Sequence, residues 1–187
     1  MTAQGKLVVI SGPSGAGKTS VCKALKQQAG VDFSVSATTR AMRPGEIAGV
    51  DYHFLAYSDF EARAKRGEFL EWASYNGNLY GTPSWPMDAA IARGRTFLLE
   101  IEVKGTKQLR EQRVPGLYLF IAPPNLAALR ERLERRGANT PADIAARVRI
   151  AEEEIVAAGS DQALYDHILV NEDLAATIRR VEELIRS

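Results

Sequence analysis

The sequence predicts an α/β fold: a five-stranded parallel sheet with helices on both of its faces. Two observations carry that expectation. Short β-rich runs alternate with longer helical stretches along the 187 residues. Strand, helix and strand in that order imply right-handed crossovers between parallel strands. The composition, 45% hydrophobic and 25% charged, is that of an ordinary globule able to bury roughly 70% of its unfolded surface.

The strands read in order as Leu7–Ile10, Phe33–Ser36, Thr96–Ile101, Leu117–Ile121 and His167–Val170, each a short apolar or β-branched run. Helices read at Lys18–Gln28, Lys104–Arg113, Asn125–Arg136, Pro141–Ala158 and Leu174–Ile185. Two segments break the rhythm. From about Thr38 to Thr82, "DYHFLA" and "FLEWASYNGNLYG" read as short antiparallel strands around an Asn76-Gly77 turn. "RRGANTPAD", Arg135 to Asp143, is a polar break between two helices. Both read as insertions on a single domain, with a core of 1–37, 83–131 and 159–187, one insertion at about 38–82 and the other at about 132–158.

Charge and cysteine usage exclude several functions. A net charge of +1 gives no whole-molecule attraction to nucleic acid or to a membrane. The apolar run near the N-terminus, Leu7 to Ile10, is too short for a signal peptide, and nothing approaches the ~18 apolar residues of a membrane span. The single cysteine, Cys22, excludes an internal disulfide and suits a reducing cytoplasm, where it is expected as a small buried residue of the first helix. Monomer and homo-oligomer both stay open.

The stretch "ISGPSGAGKT" carries the chemistry. Gly12, Gly17, Lys18 and Thr19 match G-x-x-x-x-G-K-[ST], with Pro13, Ser14, Gly15 and Ala16 between them. The required strand precedes it and the required helix follows. Glycines let backbone N–H groups turn inward around a phosphate, and the helix N-terminus adds partial positive charge. Lys18 can reach β- and γ-phosphates, and the Thr19 hydroxyl can ligate Mg²⁺. A chance match in a chain this long is on the order of one per cent. The loop binds a nucleoside triphosphate.

Kinase chemistry fits this loop better than its alternatives. The Asn-Lys-x-Asp base reader of GTPases is absent, and the chain is too small for a mechanical ATPase. Arginines cluster: Arg40 and Arg43 follow the second strand, Arg132 and Arg136 lie four apart on one helix, and Arg147 comes after the polar break. Guanidinium forks match phosphate oxygens and keep their charge. One cluster is expected to hold an acceptor phosphate and the other to close over the donor. Glu71, set between apolar neighbours, reads as a paired functional carboxylate. Phe69, Leu70 and Trp72 are expected in the core, and His53 and His167 as structural.

"FSVSATTRAMRPGEIAGVDYHF" (33–54), "EFLEWASYNGNLYGTP" (68–83) and "RLERRG" (132–137) resemble the guanylate kinase family, and the likeness extends to "ILVNED" at 168–173. The resemblance implies a P-loop kinase that transfers the γ-phosphoryl group of MgATP to GMP, giving ADP and GDP. Segment 38–82 would then be a mixed-β GMP-binding region and 132–158 a helical lid. Residue by residue, it implies that Gly12 to Thr19 and Asn171 bind ATP, with Asn171 near the base. Arg40, Arg43, Tyr52 and Tyr80 match the grip on the GMP phosphate, and Ser36, Glu71 and Thr82 match the surroundings of guanine. Glu100 and Glu102, where the family usually has aspartates, match an acidic pair near GMP and the Mg²⁺ held by Thr19. Lys18, Arg132, Arg136 and Arg147 match the groups that meet the transferring phosphate. Two alternatives fit less well. A kinase for another acceptor should lack this constellation, and a non-catalytic phosphopeptide-binding module should have lost its phosphate loop.

Overall fold

The computed structural model describes residues 5–75, 77–135, 140–161 and 163–187. In chain order its first elements are β1 (Lys6–Ser11), α1 (Lys18–Lys26), β2 (Val31–Phe33), β3 (Ala37–Thr38), β4 (His53–Phe54) and α2 (Tyr57–Lys65). Next come β5 (Phe69–Tyr75), β6 (Asn78–Pro83), α3 (Trp85–Ala92), β7 (Thr96–Glu100) and α4 (Val103–Glu111). The chain ends with β8 (Leu117–Ala122), α5 (Leu126–Arg135), α6 (Pro141–Ser160), β9 (His167–Val170) and α7 (Leu174–Arg186).

The five expected runs form one parallel sheet in the order β2-β7-β1-β8-β9. Val8 lies opposite Leu117, and Leu119 opposite His167, in parallel register. The second strand sits earlier than the sequence suggests, at Val31–Phe33 and not Phe33–Ser36. The reason is competition for backbone: the Ser36 carbonyl accepts from the His53 N–H at 2.8 Å, so that residue joins a second sheet.

By compactness the chain divides into two units, one holding Asp32–Phe97 and the other Leu7–Val31 with Leu98–Ser187. In the second, Leu7 to Ile10 and Tyr118 to Ile121 are all buried. A strand covered on both faces reads as an unbroken apolar run, which is why these two were plain in the sequence. Beside them Leu129 and Leu133 of α5 pack on Ile144, Val148 and Ala151 of α6. Helix α6 begins sharply because Thr140 and Asp143 form a capping box ahead of Pro141: the Asp143 N–H donates to Thr140 Oγ1 at 3.2 Å, and the Thr140 N–H to Asp143 Oδ2 at 3.0 Å.

The first unit carries a mixed sheet in the order β4-β3-β6-β5. β5 and β6 form the expected hairpin, with Trp72 opposite Gly81; of the expected turn, Asn76 lies outside the described residues. "DYHFLA" departs from expectation, because β4 pairs parallel with β3, Ala37 opposite His53. Two helices were not foreseen. α2 buries only Phe60 and α3 is apolar on most sides, so neither carries a clear helical period. The core here is Ala37, Phe60, Phe69 and Leu79, with Phe60 and Phe69 stacked at 4.3 Å. Trp72, expected with them, touches Phe60 edge-on and stays 48% exposed, while Phe69 and Leu70 of the same strand are buried.

His53 stands 6.1 Å from Trp85, and burial, with the Arg63 guanidinium adding to it, pushes its pKa below the ordinary 6.5. The unfolded chain therefore takes up this proton more readily than the folded one, so stability is lost as pH falls below the unfolded value. Between about pH 7 and pH 5, the drop in melting temperature is expected to be smaller in His53→Gln than in the parent. An identical slope in both proteins would refute a lowered pKa at the partly buried imidazole.

Candidate active site

The loop between β1 and α1 is shaped by close approach of backbone to its surroundings. At Gly12, with φ +137°, a Cβ would lie 2.2 Å from the Ile121 carbonyl oxygen. At Gly17, with φ +103°, it would lie 2.2 Å from Asn171 Nδ2. Only glycine tolerates both the torsion and the contact. Gly15 lies against Leu129 and Leu133, Ala16 is fully buried and Ser14 is exposed. The Ala16 N–H donates to the Pro13 carbonyl at 3.1 Å, and the Val21 N–H to that of Gly17 at 3.1 Å, which starts α1. A helix start of this kind has first-turn N–H groups suited to an anion.

Lys18 folds back across the loop, its ammonium donating to the carbonyls of Gly12 at 2.6 Å and Pro13 at 3.0 Å. Burial lowers its pKa, and the carboxylates of Glu100, Glu154 and Glu102 work against that shift. Thr19 Oγ1 donates to Glu100 Oε1 at 2.7 Å. Glu102 stands apart as the exposed N-cap residue of α4. Of the two acids expected near a metal, Glu100 is thus the one that meets the loop hydroxyl. Among the described residues no three His, Cys, Asp or Glu side chains are grouped to hold a metal ion. A hydroxyl beside a carboxylate fits a Mg²⁺ that takes most of its oxygen ligands from phosphates and water.

The donor-side arginines reach the loop from two helices. Arg147 Nη1 on α6 donates to Ser14 Oγ at 3.1 Å. Arg132 on α5 donates through Nη2 to the Asn171 carbonyl at 2.8 Å and through Nη1 to that of Ala16 at 3.4 Å. Arg136 and the glycine after it, Gly137, lie outside the described residues. Asn171, expected near the base, is buried and donates from Nδ2 to the Ala16 carbonyl at 2.7 Å. Sequence reading missed Glu154, half-buried on α6, whose carboxyl is pushed up by burial and drawn back by Lys18. Its signal was available: it follows Arg147 by seven residues, two turns along the same helix face.

In the first unit the acceptor-side residues sit on the mixed sheet and the loop that follows β3. Arg40 forms a two-pronged pair with Glu46, at 2.7 and 3.0 Å, and lies 5.5 Å from the centre of the Tyr52 ring. The Arg43 N–H donates to the same carboxylate at 2.7 Å. Those hydrogen bonds, from Arg40 first, hold Glu46 well below the usual carboxylate range. Tyr52 and Tyr80 meet edge to face at 6.2 Å. Across the β5–β6 hairpin Glu71 lies directly opposite Thr82, whose hydroxyl donates to Glu71 Oε1 at 2.6 Å. Ser36 is half-buried just before β3. Glu46 was the missed residue here, although its place three after Arg43 in "RPGE" was a usable cue.

A family model for guanylate kinase matches residues 4–187 of this chain. A guanylate kinase of Carboxydothermus hydrogenoformans is 43% identical to it over 97% of this chain and 88% of that protein. One of Thermosynechococcus vestitus is 44% identical over 98% and 94%. A crystal structure of guanylate kinase from Anaplasma phagocytophilum superposes with a TM-score of 0.69 at 32% identity, covering 98% of this chain and 86% of that one.

With its ammonium held over the loop carbonyls, Lys18 is expected to be the main cation for a polyphosphate. Lys18→Ala is expected to keep its ligand-free melting temperature within a few degrees. Its affinity for inorganic tripolyphosphate, read by calorimetry, should fall at least ~10-fold, as for loss of a charged hydrogen bond. Equal affinity in the two proteins would remove Lys18 from the site.

Proposed function

This chain belongs to the guanylate kinase family, and on that premise we propose that it transfers the γ-phosphoryl group of ATP to GMP, giving ADP and GDP, with Mg²⁺ accompanying the ATP. The observation that supports the acceptor best is the Glu71–Thr82 pair. A carboxylate fixed through one oxygen by a buried threonine is oriented to accept from the N1–H and 2-amino group of guanine. Ser36 and Thr82 complete the base contacts, while Arg40, Arg43, Tyr52 and Tyr80 take the GMP phosphate. Segment 38–82 is the GMP-binding region in this reading.

On the donor side, the backbone from Gly12 to Thr19 cradles the ATP phosphates, and Lys18 gives up its carbonyl partners to bind the β- and γ-oxygens. The Thr19 hydroxyl spends its proton on Glu100, which leaves its lone pairs for a cation; Thr19 would hold the Mg²⁺, with Glu102 assisting directly or through water. When bound, Mg²⁺ neutralises charge on the β- and γ-phosphates. In the transfer, a GMP phosphate oxygen forms the new bond to the γ-phosphorus while the bond from that phosphorus to the β–γ bridging oxygen breaks, and the oxygen leaves with its electron pair on ADP. Little covalent help is needed, because the work is alignment and charge neutralisation. Arg132, Arg136 and Arg147 supply that charge as members of a lid over 132–158, which excludes the water that would otherwise hydrolyse ATP. Asn171 is assigned to ATP, and Glu100 is assigned to GMP as well. No described helix is long and apolar enough to cross a membrane. The free, buried Cys22 is compatible with the cytoplasm we assign to this enzyme.

Adenine lacks the N1 proton and 2-amino group, so bound at this site it would leave Glu71 desolvated and short of partners. In coupled assays with each monophosphate, GMP is expected to exceed AMP by ~10⁴ in kcat/KM, with IMP between them. Glu71→Gln should lose most of the GMP activity. AMP phosphorylated as well as GMP by the parent protein would sink the assignment.

A further inference from the structure

We propose that Asn171 is a positioning residue of the phosphate loop, the centre of a buried strut running from Thr177 on α7, through its own side chain, to the Ala16 carbonyl. The proposal rests on reading residues 12–19 as the ATP phosphate site, and it gives Asn171 a role that no contact with the base requires. Every polar group of Asn171 is engaged inside the protein. Its Nδ2 donates to the Ala16 carbonyl at 2.7 Å, and its Oδ1 accepts from Thr177 Oγ1 at 3.2 Å. Its backbone N–H donates to the Ala122 carbonyl at 2.8 Å, while its own carbonyl accepts from Arg132 Nη2 at 2.8 Å. Asn171 and Thr177 are 4% and 5% exposed, so these bonds form away from competing water.

The consequence for binding follows from peptide planarity. The carbonyl of Ala16 and the N–H of Gly17 belong to one rigid trans unit and point in opposite directions. Fixing that carbonyl on Asn171 aims the Gly17 N–H away from Asn171 and into the phosphate cradle. Arg132 Nη1, 3.4 Å from the same oxygen, adds a second restraint. Gly17 is part of the device, since a Cβ there would lie 2.2 Å from Nδ2 and push the amide off its acceptor. Asparagine is the fitting choice. It offers a neutral donor to Ala16 and an acceptor to Thr177 at once, whereas aspartate would set negative charge against the Ala16 carbonyl. Thr177 shares its hydroxyl proton between Oδ1 and the Asp173 carbonyl at 2.9 Å, which ties the strut to the first turn of α7.

The test uses Asn171→Asp, Thr177→Val and Thr177→Ser in the full chain, with melting temperature as the folding check. Binding of inorganic tripolyphosphate, a probe with no base, is read by calorimetry, and KM for ATP and GMP with kcat by a coupled assay. Asn171→Asp should weaken tripolyphosphate binding and kcat/KM for ATP alike, by at least ~10-fold, and leave KM for GMP within about twofold. Thr177→Val should lose a smaller share and Thr177→Ser should restore it. Should Asn171→Asp fail to fold, the Thr177 pair decides by the same readouts. Weakened ATP with unaltered tripolyphosphate would make Asn171 a base contact and overturn the strut. Equal losses for GMP and tripolyphosphate, or none in a folded variant, would overturn it too. A parent protein that does not bind tripolyphosphate would overturn the phosphate-loop reading itself.

Discussion

A loop that turns its N–H groups inward around an anion must find partners for the carbonyls it turns outward. Much of what surrounds residues 12–17 answers that constraint. Lys18 takes the Gly12 and Pro13 carbonyls, and Asn171 and Arg132 take that of Ala16. Gly12 and Gly17 are needed because the chain passes too close to Ile121 and Asn171 for any side chain. The fully buried strand before the loop and the helix N-terminus after it hold the two ends, so an intrinsically poor helix and strand former becomes a defined shape.

A second regularity concerns the cations. Four of the cations assigned to phosphate already have an acceptor within the protein: Lys18 on loop carbonyls, Arg147 on Ser14 Oγ, Arg132 on two main-chain carbonyls and Arg40 on Glu46 and Ala41. Arg43 has its backbone N–H on Glu46. A guanidinium or ammonium left bare in a half-buried site would be costly or lose its orientation. Exchanging a neutral carbonyl for a phosphate oxygen keeps the hydrogen bond and adds charge, so binding gains from electrostatics. Glu46 differs, because it is itself charged, and a phosphate bound at Arg40 would have to share the guanidinium with it or displace it. The carboxylates around Lys18 act similarly, sustaining its charge against the burial that lowers its pKa.

The same balance of local signal and tertiary context governs how much could be read beforehand. Buried parallel strands announce themselves as apolar runs, and the phosphate loop is a pattern that few other structures need, so β1, β7, β8 and the loop were plain. α2 and α3 were not, since a helix that buries one aromatic, or is apolar nearly all round, leaves no period to detect. The β3–β4 pairing was misread because only the fold brings Ala37 beside His53 in the same direction. Trp72 is expected in the core from its chemistry, whereas packing covers its strand neighbours Phe69 and Leu70 and leaves Trp72 half exposed.

Sequence by itself therefore determined the α/β class and marked the glycine-rich loop, the arginine clusters and Glu71 as candidates, because each is carried by local spacing or by a residue type out of place among its neighbours. Tertiary structure alone decided that Glu100 and not Glu102 meets Thr19, that Glu46 clasps Arg40, that Glu154 comes close enough to Lys18 to act on its charge, and that Asn171 is spent on Ala16. These partners lie on different elements or across a turn, and hydrogen-bond choice there turns on distances of a few tenths of an ångström. No linear pattern encodes such distances; packing sets them.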